Sequence, residues 1–362
     1  MEKLNLAIIG QGRSGRNIHG AFYKAPTNTY FNVKYVVEAD ERRRARAAEE
    51  YPGCTVLADY RDLFDRQDVD LVVNAAYSNL HYPITKELLS HGMNVLCEKP
   101  FCRTRAEADD MIATAKANGC LLTVFQQTFF APFFSMAYDL VKGEKLGRIT
   151  QINIRYNGFG RRWDWQTLQW RCAGGVYNTG PHPIGMALGF LDFSEDTKVL
   201  YSSLDTVLTS GDGDDCAKLL LTAPGAPLID VEIHGNDAYT DYNLKIMGTK
   251  GTFMCNASTW WKMKYIVDGE NEERPVVATF LQDEKGMPIY CCDNLKVHEE
   301  DGKFEGSAFD VGTAKLYKNL YGVLTGTEEL IIKPEYARDI IGIAEDMYKT
   351  TPLPIKFKED QA

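Results

Sequence analysis

The chain has 362 residues, 44% of them hydrophobic and 25% charged, with a formal net charge of −10 at pH 7. This length and apolar content support a large core spread over two domains, and the acidic balance argues against a nucleic-acid partner, because a phosphate backbone rewards clustered Lys and Arg. No apolar run approaches the roughly 20 residues that span a bilayer, and Met1-Glu2-Lys3 leads into the first strand without the apolar core of a signal peptide, so a cytoplasmic chain with no membrane partner is expected.

In chain order, the apolar run Leu4 to Ile9 is followed by Gly10-Gln11-Gly12-Arg13-Ser14-Gly15, after which Arg16 to Lys24 reads as a helix. A Gly-x-Gly-x-x-Gly string on a strand, turn and helix aims free amides at a pyrophosphate and lets the backbone approach it closely. Phe31 to Val37 reads as a second strand closed by Glu38, 23 residues beyond Gly15. That is the offset expected of an acid that accepts hydrogen bonds from the adenosine ribose. Glu38 therefore favours NAD, while Arg13 and Arg42-Arg43-Arg44 leave room for a 2′-phosphate and hence for NADP. The arginine run reads more simply as a solvated helix face.

Asp70 to Asn74 (strand), Ile84 to Gly92 (helix), Met93 to Cys97 (strand), Thr104 to Gly119 (helix) and Cys120 to Phe125 (strand) continue the alternation. Such alternation predicts an α/β fold on a doubly wound parallel sheet, with ligands at the carboxyl ends of its strands. Glu38, Tyr77 to His81 and Glu98-Lys99 all fall at such ends. After Leu146-Gly147-Arg148 the stretches Ile149 to Tyr156, Ala217 to Thr222, Ile229 to His234 and Tyr242 to Met247 predict a mainly antiparallel second domain. The boundary is set near residue 125, giving domains 1–125 and 126–362. The polar, acidic stretch Asp268 to Lys303 reads as exposed loop. Nine cysteines, an odd number with no Cys-x-x-Cys, predict neither a disulfide framework nor a metal site.

Several strings together resemble the Gfo/Idh/MocA oxidoreductases, which include inositol dehydrogenases and glucose-fructose oxidoreductases. They are Gly10-x-Gly12-x-x-Gly15, Asn79-Leu80-His81, the block Gly92 to Pro100 ending in Glu98-Lys99-Pro100, Leu146-Gly147-Arg148-Ile149, Gly174-Gly175 followed by Asn178-x-Gly180-x-His182, and Gly248-Thr249-Lys250-Gly251-Thr252. The resemblance covers nearly all of the chain. It implies an N-terminal Rossmann domain, a C-terminal α+β domain on an open, mainly antiparallel sheet, and a homodimer or homotetramer formed through that sheet. It also implies hydride transfer between nicotinamide and a secondary hydroxyl of a sugar, sugar derivative or cyclitol. Gly10, Gly12, Arg13, Ser14, Gly15, Glu38, Asn79, His81, Glu98, Lys99 and Gln127 are the implied cofactor contacts.

Such chemistry needs a base for the hydroxyl proton and a group that steadies the developing alkoxide. In the family the lysine of Glu-Lys-Pro binds the reacting hydroxyl, which is Lys99 here. His182 matches the histidine of the family's Asp-x-Gly-x-His pattern and is the base candidate, since a neutral imidazole accepts a proton near pH 7. Asn178 stands where the family commonly has Asp. It can hydrogen-bond a hydroxyl or orient His182, but it cannot take a proton or stabilise an imidazolium by charge. Gln127-Thr128-Phe129 replaces an Asn-Arg-Arg-like string, leaving Gln126 or Gln127 to bond the nicotinamide carboxamide or a sugar hydroxyl. The tryptophan-rich run Arg161 to Arg171 suits sugar rings, with Trp165, Trp170 and Arg171 as candidate substrate contacts; the alternative is a packed interdomain loop. His19, His91, His234 and His298 read as structural or surface residues, and His81 is the exception. Two other functions fit the same residues: glycoside processing by transient oxidation with tightly held NAD, and a dinucleotide-binding sensor, which would have no use for Lys99 and His182.

Overall fold

The computed structural model describes residues 2–359. Its first lobe is a parallel sheet of β1 (Leu4–Ile9), β2 (Phe31–Val37), β3 (Thr55–Leu57), β4 (Leu71–Asn74), β5 (Val95–Cys97) and β6 (Leu122–Val124). The strand order is β3-β2-β1-β4-β5-β6, which is the dinucleotide-binding arrangement. β4 and β5 are buried along their whole length, as expected of parallel strands covered on both faces. Flanking them are α1 (Gly20–Lys24), α2 (Glu41–Glu50), α3 (His81–Ser90) and α4 (Arg105–Asn118). α4 fits its predicted span because its ends are marked: Thr104 and Glu107 form a capping box, and Gly119 closes it at φ 65°. α3 starts three residues before the predicted Ile84 because Pro83 sits in its first turn, where a missing N–H costs nothing.

The second lobe carries α5 (Pro132–Lys142), α6 (Gly175–Asn178) and α7 (Pro181–Phe190) against a sheet of eight strands. The strands are β7 (Ile149–Arg155), β8 (Lys198–Asp205), β9 (Cys216–Thr222), β10 (Leu228–His234), β11 (Leu244–Gly248), β12 (Gly251–Cys255), β13 (Trp260–Tyr265) and β14 (His298–Lys303), in the order β14-β13-β12-β11-β7-β10-β9-β8. Neighbours are antiparallel except β7 and β10, which run parallel. β9 and β10 alternate buried and half-exposed residues, so one sheet face meets the core and the other is open. β14 corrects the expectation of a loop from Asp268 to Lys303. It is an edge strand with no large apolar residue, held by its pairing with β13 and by an ion pair from Lys264 to Glu299 at 2.6 Å.

Beyond residue 307 the chain returns to the first lobe through α8 (Thr313–Leu324) and α9 (Pro334–Thr350). Tyr317 on α8 is fully buried, stacked on Phe22 at 4.6 Å between ring centroids and edge-on to Phe31 at 5.6 Å. Tyr321 donates to the Glu2 carbonyl at 3.0 Å, and Thr123 in the middle of β6 donates to the Ile332 carbonyl at 2.6 Å.

Candidate active site

A cleft of about 550 Å³ opens between the lobes at the carboxyl ends of the parallel strands. The three glycines of the β1 turn face it differently. Gly10 adopts φ +91°, and a Cβ there would lie 2.5 Å from the Ala75 carbonyl oxygen. A Cβ on Gly15 would lie 1.9 Å from the Gly10 carbonyl oxygen, whereas one on Gly12 would meet nothing within 4 Å. Gly15 thus lets the helix close onto the strand from behind, while Gly12 borders open space in which a pyrophosphate fits. Gly10, Gly12, Arg13 and Ser14 line the cleft. The helix opens at Arg13 rather than Arg16, as a wide turn over Arg13–His19 that closes with a bond from Gly20 N–H to the Gly15 carbonyl and continues into α1.

Glu38 is buried at the end of β2, where its carboxylate accepts the Gln11 N–H at 2.7 Å and the Asp40 N–H at 3.0 Å. A carboxylate has further lone pairs to spare for ribose hydroxyls. Arg43 lies 3.7 Å from Glu38 and lines the cleft, while Arg44 is turned onto the carbonyls of Glu38 and Ala39. The arginine run is therefore split between the cleft and the loop.

Glu98 and Lys99 follow β5. The Glu98 carboxylate accepts the Lys99 N–H at 3.0 Å and faces His19 Nε2 at 3.1 Å. Nδ1 of His19 meets the Tyr317 hydroxyl at 2.7 Å, and that hydroxyl also accepts from Tyr23. Burial pushes the Glu98 carboxyl up, but the His19 hydrogen bond and the charges of His19 and Lys99 outweigh it and hold the group at about 2. His19, which the sequence reads as structural or surface, is fully buried and holds the acid next to Lys99. Its position four residues after Gly15, on the inner face of the opening helix, was the available signal. Lys99 Nζ donates to the Asn178 carbonyl at 2.7 Å. Burial lowers its pKa, the Glu98 charge opposes the shift, and Arg13 and Arg162 add to it. The ring of His81 is fixed between the carbonyls of Pro100 at 2.6 Å and Ala76 at 3.1 Å, beside the cleft.

From the second lobe come Asn178, at the end of α6, and His182, in the first turn of α7. Nδ1 of His182 meets the Thr128 hydroxyl at 2.7 Å. Burial and then the Lys99 charge lower the His182 pKa to about 3, leaving a neutral ring. The Asn178 side-chain oxygen accepts from Gln166 at 3.1 Å, and Arg162 donates to the Gln166 side-chain oxygen. Gln127 lines the cleft, buried, with its side-chain oxygen unpartnered. Gln126 instead donates to the Pro181 carbonyl. Trp165 lines the cleft, edge-on to Tyr77 at 5.0 Å.

Four expected contacts are not among the residues lining the cleft: Gly15, which lies behind the turn against the Gly10 carbonyl, and Asn79, Trp170 and Arg171. The Arg171 guanidinium lies 3.9 Å over the Trp170 ring, the Trp170 carbonyl accepts from Arg103 at 2.7 Å, and Asn79 accepts from Arg171 at 3.4 Å. Trp170, Arg171 and Asn79 thus form a packed seam between the lobes, because a guanidinium sandwiched on an aromatic face is drawn into the interface rather than toward solvent. Tyr77, Gln166 and Phe309 line the cleft without having been singled out as site residues. Gln166 and Tyr77 lay in strings already marked; Phe309 arrives from 182 residues beyond Gln127 in sequence, which no local pattern shows. The open space before Gly12, the lone pairs of Glu38 and the orphaned Gln127 oxygen fit a nicotinamide dinucleotide. Among the described residues no cluster of His, Cys, Asp and Glu could hold a metal ion, and no helix is long and apolar enough to cross a membrane.

Sheet order, glycine turn and cleft define the class of NAD-binding Rossmann oxidoreductases. Residues 4–126 match the oxidoreductase family with an NAD-binding Rossmann fold, and residues 134–254 match the GFO/IDH/MocA C-terminal domain. The chain belongs to the Gfo/Idh/MocA family. It is 28% identical over 267 residues to an uncharacterized oxidoreductase of Schizosaccharomyces pombe, covering 70% of each chain. It is also 28% identical over 283 residues to inositol 2-dehydrogenase 2 of Saccharopolyspora erythraea, covering 76% of this chain and 79% of that one. For three further curated oxidoreductases the match spans 52%, 44% and 53% of their length. Among solved structures, GenD2 from gentamicin A biosynthesis, in complex with NAD, superposes with a TM-score of 0.76 at 18% identity, covering 97% of this chain and 94% of that one.

Proposed function

We propose that this protein is an NAD-preferring dehydrogenase that moves hydride between nicotinamide and a secondary hydroxyl of a sugar, sugar derivative or cyclitol, with Lys99 and His182 at the reacting hydroxyl. The observation that carries this reading is convergence: Lys99 from the first lobe and His182 from the second line the same cleft as the glycine turn. A bound nicotinamide dinucleotide would supply the hydride acceptor, held by the Gly12 turn, Glu38 and Gln127. The chain's own residues would orient the substrate. Lys99 and His182 reach its hydroxyl, Trp165 offers a ring face to its C–H groups, and Asn178 and Gln166 offer amides to neighbouring hydroxyls. The resemblance to an inositol 2-dehydrogenase supports the substrate class. Glu38, locked by two backbone amides, would repel a 2′-phosphate and so supports NAD. A second copy would pair through the open face of the eight-stranded sheet, where Arg155, Asp230, Lys218 and Glu232 form a half-buried charge network.

The test is nicotinamide absorbance of the purified protein with pooled sugars and cyclitols, NAD and NADP being supplied separately. Growth of the reduced band with one pool and NAD supports the reading. A band already present that neither grows nor dissociates would replace it with transient oxidation on a retained cofactor, and no band with any pool would favour a sensor.

A further inference from the structure

Arg162 sets the direction of a chain of hydrogen bonds on the second-lobe wall of the cleft. It is anchored on the Asp164 carboxylate at 2.7 and 3.1 Å and donates to the Gln166 side chain. A guanidinium has donors only, so the Gln166 atom that it meets is the oxygen, and the Gln166 NH2 group faces Asn178. Asn178 Oδ1 accepts from that group at 3.1 Å. Turning either amide over would set donor against donor. The Asn178 NH2 group is therefore left without a partner among the described residues, on a side chain that lines the cleft, and the Gln166 NH2 group keeps a second N–H. Lys99 Nζ reaches the same place: it spends one N–H on the Asn178 carbonyl at 2.7 Å, and an ammonium has two more. Of the carboxylates lining the cleft, Glu38 and Asp59 lie past the ends of β2 and β3, and Glu98 is engaged by His19 and by the Lys99 N–H. The corner built by Gln166, Asn178 and Lys99 thus presents N–H donors and no side-chain acceptor. A neutral ring hydroxyl brings a proton that needs an acceptor once buried, whereas a carboxylate brings lone pairs only. Burial also works against the Lys99 ammonium, and an anion beside it would offset that.

We propose that the substrate is an acidic sugar, an aldonate or a uronate, whose carboxylate is held by the side-chain N–H groups of Asn178 and Gln166 beside Lys99. The proposal rests on the dehydrogenase reading and narrows its substrates to sugar derivatives that carry an anion. The carboxylate anchors the molecule and does not react; the carbon that exchanges hydride is a carbinol elsewhere on the same sugar. Trp165, next to Gln166 in the chain and also lining the cleft, offers its ring to the C–H groups of the sugar.

Calorimetric titration of the protein saturated with NADH, which cannot accept a hydride, tests this without turnover. The ligands are D-glucuronate, D-galacturonate and D-gluconate, each beside its neutral counterpart, glucose, galactose or glucitol. At least one acid is expected to bind about tenfold or more tightly than its counterpart, because hydrogen bonds to an ionised acceptor are about twice as strong as neutral ones. Asn178→Asp replaces the donor by an anion of the same shape, and should remove that margin while NADH affinity and melting temperature stay at wild-type values. Gln166→Glu should weaken the same acid in the same way. The proposal is overturned if no acid binds more tightly than its neutral counterpart, or if Asn178→Asp keeps the preference. Nicotinamide absorbance with NAD and the acid that binds then tests the underlying reading separately. Binding without growth of the reduced band removes the dehydrogenase and leaves acid recognition standing, whereas growth with neutral sugars alone removes the acidic substrate and leaves the dehydrogenase.

Discussion

Replacing Gly12 and Gly15 separately by alanine should separate cofactor binding from folding. A methyl at Gly15 lands 1.9 Å from the Gly10 carbonyl oxygen, so the helix must shift away from β1 by more than an ångström or the turn must open. Forced overpacking of this kind costs about 1–3 kcal/mol, which should lower the melting temperature by several degrees. A methyl at Gly12 meets nothing within 4 Å, and the residue's φ of −75° suits alanine. The fold should therefore keep its melting temperature, within a degree or so. The same methyl would stand where a pyrophosphate has to meet the turn. Loss of one or two charge-assisted hydrogen bonds, about 1.5–3 kcal/mol each, raises the NAD dissociation constant about ten- to a hundredfold or more. Calorimetric titration with NAD and a thermal melt of each variant give both quantities. Unchanged NAD affinity in Gly12→Ala, or a melting temperature that falls as far as in Gly15→Ala, would refute the distinction.

Lys99→Ala should reduce turnover at least a hundredfold while calorimetry shows nearly wild-type NAD affinity; equal loss of both would remove Lys99 from the chemistry. Glu38→Gln keeps an acceptor for the Gln11 N–H but removes the charge, and should raise the NADP-to-NAD preference in kcat/KM about tenfold. An unchanged ratio would mean that another residue reads the ribose. Asp214 accepts the Val176 N–H at the start of α6, and burial raises its pKa to about 6. Because the folded state binds this proton more tightly than the unfolded one, its stabilising contribution is full below about pH 4 and is lost as pH rises through 6. The swing is roughly 3 kcal/mol at 1.36 kcal/mol per pKa unit. Urea unfolding from pH 4 to 7 should show that slope in the wild-type protein and lose it in Asp214→Asn. Tyr317→Phe strips His19 Nδ1 of its hydroxyl partner inside the core and should cost about 1–3 kcal/mol in the same assay; no change would mean the ring adapts without it.

Local signals made most of the first lobe legible. Gly10, Gly12 and Gly15 mark the turn, Thr104, Glu107 and Gly119 mark both ends of α4, and buried parallel strands read as continuous apolar runs. β14 escaped because its residues, HEEDGK, carry no apolar alternation even though one face is half-buried, so they look like a loop until β13 pairs with them. At the cleft, Lys99 and His182 were marked by strings, whereas the side chains that govern them were not. Thr128 sits on His182 across 54 residues and Tyr317 on His19 across 298, contacts between residues that no single window spans. Trp170 and Trp165 show the limit from the other side: both are tryptophans of one loop, and only the stacking of Arg171 decides that Trp170 faces the seam.

The burial of Tyr317 against Phe22 and Phe31 carries a consequence for the order of events at the ribosome. When the sixth parallel strand has emerged, the aromatic pocket formed by Tyr23, Phe22 and Phe31 still lacks its plug. At 5–20 residues per second, the roughly 190 residues between Phe125 and Tyr317 take on the order of 10–40 s to synthesise. During that interval the nascent lobe exposes the apolar surface that Tyr317 later covers and leaves the His19–Glu98 pair without its hydroxyl partner. An early stop anywhere before α8 would therefore release a half-built nucleotide lobe prone to aggregate, rather than a usable NAD-binding fragment.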